Sequence, residues 1–174
     1  MSEQRQEFEN ALEDIESKVI ELFAMVGEDL PSATRALLNC DGEALTGLIA
    51  RDREIDALYR EVEELVNRAI LLQAPVASDL RFLLSVLRIV PELERSHDLV
   101  VHIAARANRI FSGDLSPRAR GLVEAMGDLA SAMWRTAADA WYQRDRSAAQ
   151  SLGERDEEMD DLHSSLIEIG RAHV

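Results

Sequence analysis

Three pairs of carboxylates stand four residues apart in this sequence: Asp52/Asp56, Glu94/Asp98 and Asp156/Asp160. On a helix, residues i and i+4 share a face, so each pair can offer oxygens to one point. Oxygen donors in that number suit hard or borderline cations such as Mg²⁺, Mn²⁺, iron or Zn²⁺. Two of the pairs sit in matching phrases, "RDREIDALY" from Arg51 and "RDEEMDDLH" from Arg155. The acids also interrupt apolar stripes that step by three and four. One stripe reads Leu45, Leu48, Asp52, Ile55, Tyr59, Val62, Val66; a second reads Leu80, Leu84, Leu87, Pro91, Glu94, Asp98, Val101. A third reads Leu152, Asp156, Met159, His163, Leu166. A carboxylate in such a seam is costly unless it is paired, hydrogen-bonded or bound to metal. With the second and third helices as antiparallel neighbours, Asp52, Asp56, Glu94 and Asp98 converge on one metal-competent site. The plainer alternative places these acids at the bundle margin, paired with Arg53, Arg81, Arg88 or Arg95.

The elements that must carry these acids are helices. Apolar residues recur at alternating three- and four-residue steps, beginning with Phe8, Leu12, Ile15, Val19, Leu22 and Val26. The spacing predicts a first helix ending near Cys40, kinked or restarted at Pro31. Asp41 is the expected N-cap of a second helix reaching about Leu72. After the turn "QAPVASD", a third helix is expected from about Val76 to Ile110, with a bend at Pro91. "FSGDLSP" is the clearest break: Gly113 suits a helix end, Ser116 a cap and Pro117 a first helical position. A fourth helix is expected over 117–143 and a fifth, capped by Asp145, over 146–169. No segment alternates as a strand would. The fold class is all-α.

Composition narrows the function. The 174 residues are 47% hydrophobic and 30% charged, and they carry a formal charge of −14. Such a surface repels DNA and anionic membrane, so nucleic acid is not an expected partner. Cys40 is the single cysteine, which forbids an intrachain disulfide. The polar start and the absence of a run of roughly 18 uncharged apolar residues predict a cytoplasmic protein without direct membrane insertion. No nucleophile–base pair, Gly-rich phosphate loop or cysteine ligand set is present, and no catalysis is expected. Trp134 and Trp141 read as packing residues. His97 and His163 read as surface or hydrogen-bonded residues, with metal ligation the alternative.

The repeat extends well beyond the acids. Val19 maps onto Val123, Leu22 onto Met126, Asp41 onto Asp145, Leu48 onto Leu152 and Ile55 onto Met159. Two three-helix units follow, the first over 1–112 and the second over 116–174. The third helix of the second unit would begin beyond Val174, which leaves five long helices and an incomplete second repeat. A truncated form or a shortened relative is expected. Stripes on the fourth helix (Leu122, Met126, Leu129, Met133) and the fifth would then face water. At roughly 25 cal/mol per Å², a few hundred Å² of exposed apolar area costs several kcal/mol. A homodimer through these two helices is the expected remedy.

These residues resemble the PhoU family of bacterial phosphate-uptake and phosphate-signalling accessory proteins. The resemblance rests on "DREIDALY", "QAPVASDLRFLLSVLRIVPELERSHD" and "RDEEMDDLH", and it covers essentially the whole chain. It implies a PhoU-like bundle of two three-helix repeats with Glu/Asp-x-x-x-Asp motifs that bind metal. By the same resemblance, Asp52, Asp56, Glu94, Asp98, Asp156 and Asp160 would be metal residues. The family is a negative regulator coupling the phosphate ABC transporter, through its ATPase subunit PstB, to the sensor histidine kinase PhoR. Partner proteins would then recruit the chain to the membrane periphery. His97 departs from the small residue usual at its position, and would either add a nitrogen ligand or crowd the site.

Two other classes stay open. A ferritin-like di-metal oxidative enzyme needs two Glu-x-x-His motifs; Glu94/His97 supplies one, and Asp160/His163 approximates the other. A metal-free helical adaptor is the third.

Overall fold

The computed structural model describes residues 3–110 and 115–172, so Gly113 lies outside the described residues. The described chain forms five helices: α1 Glu3–Asn39, α2 Gly42–Gln73, α3 Ala77–Ile110, α4 Pro117–Gln143 and α5 Arg146–Ala172. It contains no strand among those residues, as the all-α reading requires. Of the two expectations at Pro31, the restart is not seen. Helix α1 runs through Pro31 without a break. Buried Ala33 and Ala36 just beyond the proline anchor the helix where one backbone bond is lost.

The sequence repeat reappears as a repeated piece of backbone chemistry. Cys40 and Arg144 both adopt left-handed φ, 53° and 56°, just after α1 and α4. The next residue in each case donates its N–H back into the helix, Asp41 to Ala36 O (3.1 Å) and Asp145 to Ala140 O (2.9 Å). The same aspartates then cap the following helix. Asp41 Oδ1 accepts from the Glu43 and Ala44 N–H groups at 3.0 and 3.1 Å. Asp145 Oδ1 accepts from the Ser147 and Ala148 N–H groups at 2.8 and 3.2 Å, and from the Ser147 hydroxyl at 2.7 Å. The Ser147 hydroxyl first, then these amides, hold the Asp145 carboxyl below its ordinary range. Ser116 caps α4 by accepting from the Ala119 N–H at 3.2 Å, with Pro117 in the first turn.

The chain packs as two compact units whose segments interleave: Met1–Val26 with Ala50–Leu99, and Gly27–Ile49 with Val100–Val174. This partition cuts across the sequence repeat that divides at 112–116. In the first unit, Ile15, Val19, Leu22 and Val26 of α1 are buried, as are Ile55, Val62 and Val66 of α2. Lys18 ties α1 to α2 through Glu61, Nζ to Oε1 2.9 Å. Helices α2 and α3 run antiparallel: Asp52 meets His97, while Tyr59 and Val62 share a small pocket with Val86, Leu87 and Val90. The buried stripe of α3 is Leu83, Val86, Val90, Leu93 and His97. It lies one residue before the expected Leu84, Leu87, Pro91, Glu94, Asp98 series. The run "RFLLSVLRIVPEL" is apolar in both registers, so periodicity alone could not choose between them.

In the second unit α4 packs against α5. Two glycines set a close antiparallel approach of α1 to α4. A Cβ at Gly27 would lie 3.0 Å from Trp134 Cδ1, and one at Gly127 would collide with the Thr34 side chain. Farther along, Arg120 Nη2 donates to Leu38 O at 2.7 Å. Gly127→Ala should therefore destabilise the chain by about 1–3 kcal/mol through overpacking. In a Thr34→Ala background, which removes the obstructing atoms, the same substitution should cost far less, since alanine is the better helix former by about 1 kcal/mol. A thermal-unfolding double-mutant cycle checks this, and additive effects would refute the close approach.

Candidate metal centre

The candidate site lies wholly in the first unit, on facing stretches of α2 and α3. Asp52 and Asp56 come one turn apart on α2, and Glu94 and Asp98 one turn apart on α3. All four are half-buried, because the buried register of α3 runs beside Glu94 and Asp98 and not through them. The expectation of acids inside the seam is therefore corrected: they line its margin. The polar side chain in the seam itself is His97, fully buried at 0% exposure.

His97 Nδ1 donates to Asp52 Oδ1 at 2.9 Å, joining the two helices. A buried polar group left without a partner costs about 1–3 kcal/mol, which is why this imidazole comes with a carboxylate. Asp56 is engaged too: its Oδ2 accepts from Arg60 Nη2 at 3.2 Å, one turn along α2. Asp56 is thus ion-paired at the margin, but with Arg60 and not with Arg53, Arg81, Arg88 or Arg95. Glu94 holds its proton more tightly than an ordinary glutamate. Burial is the largest cause, followed by repulsion from Asp98, Asp56 and Asp52, against which His97 acts.

The four carboxylates thus share one electrostatic neighbourhood, yet they do not form a cage. Among the described residues, no three His, Cys, Asp or Glu side chains are arranged to hold a metal ion. Coulomb repulsion acts over several ångströms, whereas coordination needs oxygens converging on one point about 2.0–2.6 Å away. Asp52 and Asp56 each have a carboxylate oxygen committed elsewhere, to His97 and to Arg60. The donor chemistry, four carboxylates, is of the kind that suits a hard cation. The geometry requires both aspartates to swing from their present partners.

The third pair behaves differently. Asp156 and Asp160 are exposed on α5 in the second unit. His163 is exposed as well, so Asp160/His163 does not project into a core as a ferritin-like ligand motif must. His97 points its Nδ1 at Asp52 across the helix pair, which makes it a tether between helices. The second unit also holds a cavity of about 330 Å³ between α1 and α4, lined by Arg35, Arg120, Glu124 and Asp128. Its charges are mixed, and Arg120 already serves the Leu38 carbonyl.

Two features escaped the reading of the sequence. One is the His97–Asp52 bond, whose signal was a histidine in the alternative apolar register of α3. The other is the glycine-notched approach of α1 to α4, whose signal was two glycines matched to Thr34 and Trp134.

The PhoU domain model matches residues 19–107 and 123–170, two segments whose starts are offset as the sequence repeat is. A Zymomonas mobilis protein named as a phosphate-specific transport system accessory protein PhoU homolog is 32% identical over 162 residues, covering 93% of this chain and 68% of that protein. A Mycobacterium bovis protein, named as PhoU homolog 1 of the same system, is 31% identical over 163 residues, covering 93% of this chain and 74% of that one. The crystal structure of PhoU from Pseudomonas aeruginosa superposes with a TM-score of 0.87 at 26% identity, over 95% of this chain and 79% of that one. The PhoU regulatory protein from Streptococcus pneumoniae gives 0.82 at 27% identity, over 91% and 74%. With the domain model matching most of its length and relatives about 30% identical over more than nine-tenths of it, the chain belongs to the PhoU family.

Proposed function

We propose that the chain is a phosphate-transport accessory protein that represses the phosphate-starvation response, an adaptor linking the phosphate ABC transporter to its sensor kinase. The observation that carries this reading is the family match over both repeats, in the register of the doubled acidic phrase. Relatives matched over most of this chain are named as accessory proteins of phosphate-specific transport. No helix among the described residues is long and apolar enough to cross a membrane. An adaptor of this kind meets the transporter as a peripheral partner.

The metal-binding part of the proposal rests on Asp52, Asp56, Glu94 and Asp98, whose shared negative field a bound cation would relieve. The ion would be iron, zinc, Mg²⁺ or Mn²⁺, in keeping with an oxygen-rich donor set. The exposed pair Asp156/Asp160 offers a weaker second locus, with no buried neighbour in the facing turn of α5. Self-association through α4 and α5 is the other part. Leu122, Met126, Leu129 and Met133 of α4, and Leu152, Met159 and Leu166 of α5, are only half-buried. No residue of 146–170 is buried at all. Covering that face in a two-fold dimer removes apolar surface from water.

Deleting the gene in its host should switch on phosphate-starvation genes in phosphate-rich medium, and a plasmid copy should restore repression. Genes that stay repressed after the deletion would refute the regulatory reading. Light scattering of the purified chain at low micromolar concentration should give twice the 19.5 kDa of one chain. A monomer at that concentration would refute the dimer.

A further inference from the structure

At one end of the first unit, the connection from α2 to α3 exposes large apolar side chains to an unusual degree. Leu71 is 81% exposed, Leu72 67% and Val76 72%. Single exposed apolar residues are ordinary, but three within six residues form a patch. Leu71 and Leu72 close the last turn of α2, and Val76 lies in the short connection flanked by two left-handed alanines, Ala74 at φ 43° and Ala77 at φ 49°. Glycine adopts that conformation freely, whereas a residue with a Cβ does so at a cost. Neither the exposure nor the strain serves the core. Val66 and Ala69 before the loop, and Leu83 after it, already provide the burial there.

Immediately around the patch the charge is net positive: residues 68–81 carry Arg68 and Arg81 against Asp79, with Glu63 and Glu64 farther back along α2. The chain as a whole carries a net charge of −14. Arg68 is exposed and lies one helical turn before Leu71 and Leu72, on the same face of α2. Arg81 is exposed in the first turns of α3. Asp79 accepts from the Ser78 hydroxyl at 3.2 Å and lies in the field of Arg5, so its charge is partly offset.

We propose that this tip is a docking knob: Leu71, Leu72 and Val76 insert into an apolar cleft of a partner protein, and carboxylates on the cleft rim meet Arg68 and Arg81. Apolar anchors ringed by charge are the usual anatomy of a specific protein contact. An anionic bilayer is the less favoured occupant, since the rest of the chain would be repelled from it. The surface is distinct from the acids around Glu94 and stands independently of the phosphate reading.

The test is in-cell photo-crosslinking with p-benzoylphenylalanine at Leu72, and at the exposed Glu54 of the same helix as the control. Leu72 should give an adduct with one protein that the control does not give, and the crosslinked peptide should combine apolar residues with Asp or Glu. Arg68→Glu with Arg81→Glu should cut the yield at least about fivefold by reversing the charge complementarity. Changing the partner's acidic residues to Lys should restore it. Thermal unfolding of the variants should match the parent, because these side chains are exposed. Adducts with phospholipid or with a second copy of the chain, adducts equal to the control, or a yield indifferent to the arginine reversal would each overturn the proposal.

Discussion

The hydrogen bond from His97 to Asp52 joins α2 to α3 at the point where the apolar stripe of α3 turns polar. Everything else about the acidic face follows from that contact. His97 takes a seam position that leucine or valine fills elsewhere in the helix, so Glu94 and Asp98 fall on the margin beside it. Asp52 is held toward the seam, and Asp56, one turn on, is left to Arg60. Glu94 remains half-buried in the field of three aspartates, with burial the larger part of its reluctance to ionise. The buried imidazole thus has a carboxylate partner, and Glu94 stays in the negative field of its neighbours.

A different constraint governs the second unit. Close approach of α1 and α4 depends on the missing side chains of Gly27 and Gly127, which admit Trp134 and Thr34. Tight contact there contrasts with α5, whose apolar residues stay partly wet. One part of the unit is therefore packed to contact distance while another presents a half-buried apolar face. That asymmetry suits a protein that holds a rigid internal register and meets other molecules through a separate surface.

Much of this was legible in the sequence. Helix number and type followed from the three–four periodicity, and the caps from Asp41, Asp145 and Ser116, because those signals are local. The doubled phrase at Arg51 and Arg155 anticipated a repeat, and the matched left-handed residues Cys40 and Arg144 recur at the same offset. The face of α3 was not legible. "RFLLSVLRIVPEL" supports two apolar registers, and the choice between them is made by packing within the first unit, α2 included. A restart at Pro31 is absent for a similar reason, since tertiary burial of Ala33 and Ala36 outweighs a local breaker. Partners such as Arg60 for Asp56 are rotamer choices, and several arginines were equally placed by spacing alone.

The central claim is that the acids of α2 and α3 form one cation-accepting cluster despite their present side-chain partners. Elemental analysis after equilibrium dialysis against iron, zinc, Mn²⁺ or Mg²⁺ tests it most directly, on the parent chain and on Glu94→Ala/Asp98→Ala with far-UV helicity as the folding control. The account predicts stoichiometric metal on the parent chain, taken up more tightly as pH rises and Glu94 gives up its proton, and loss of that metal in the double variant with helicity intact. A parent chain that takes up no metal, or a double variant that retains the parent's full content, would contradict it.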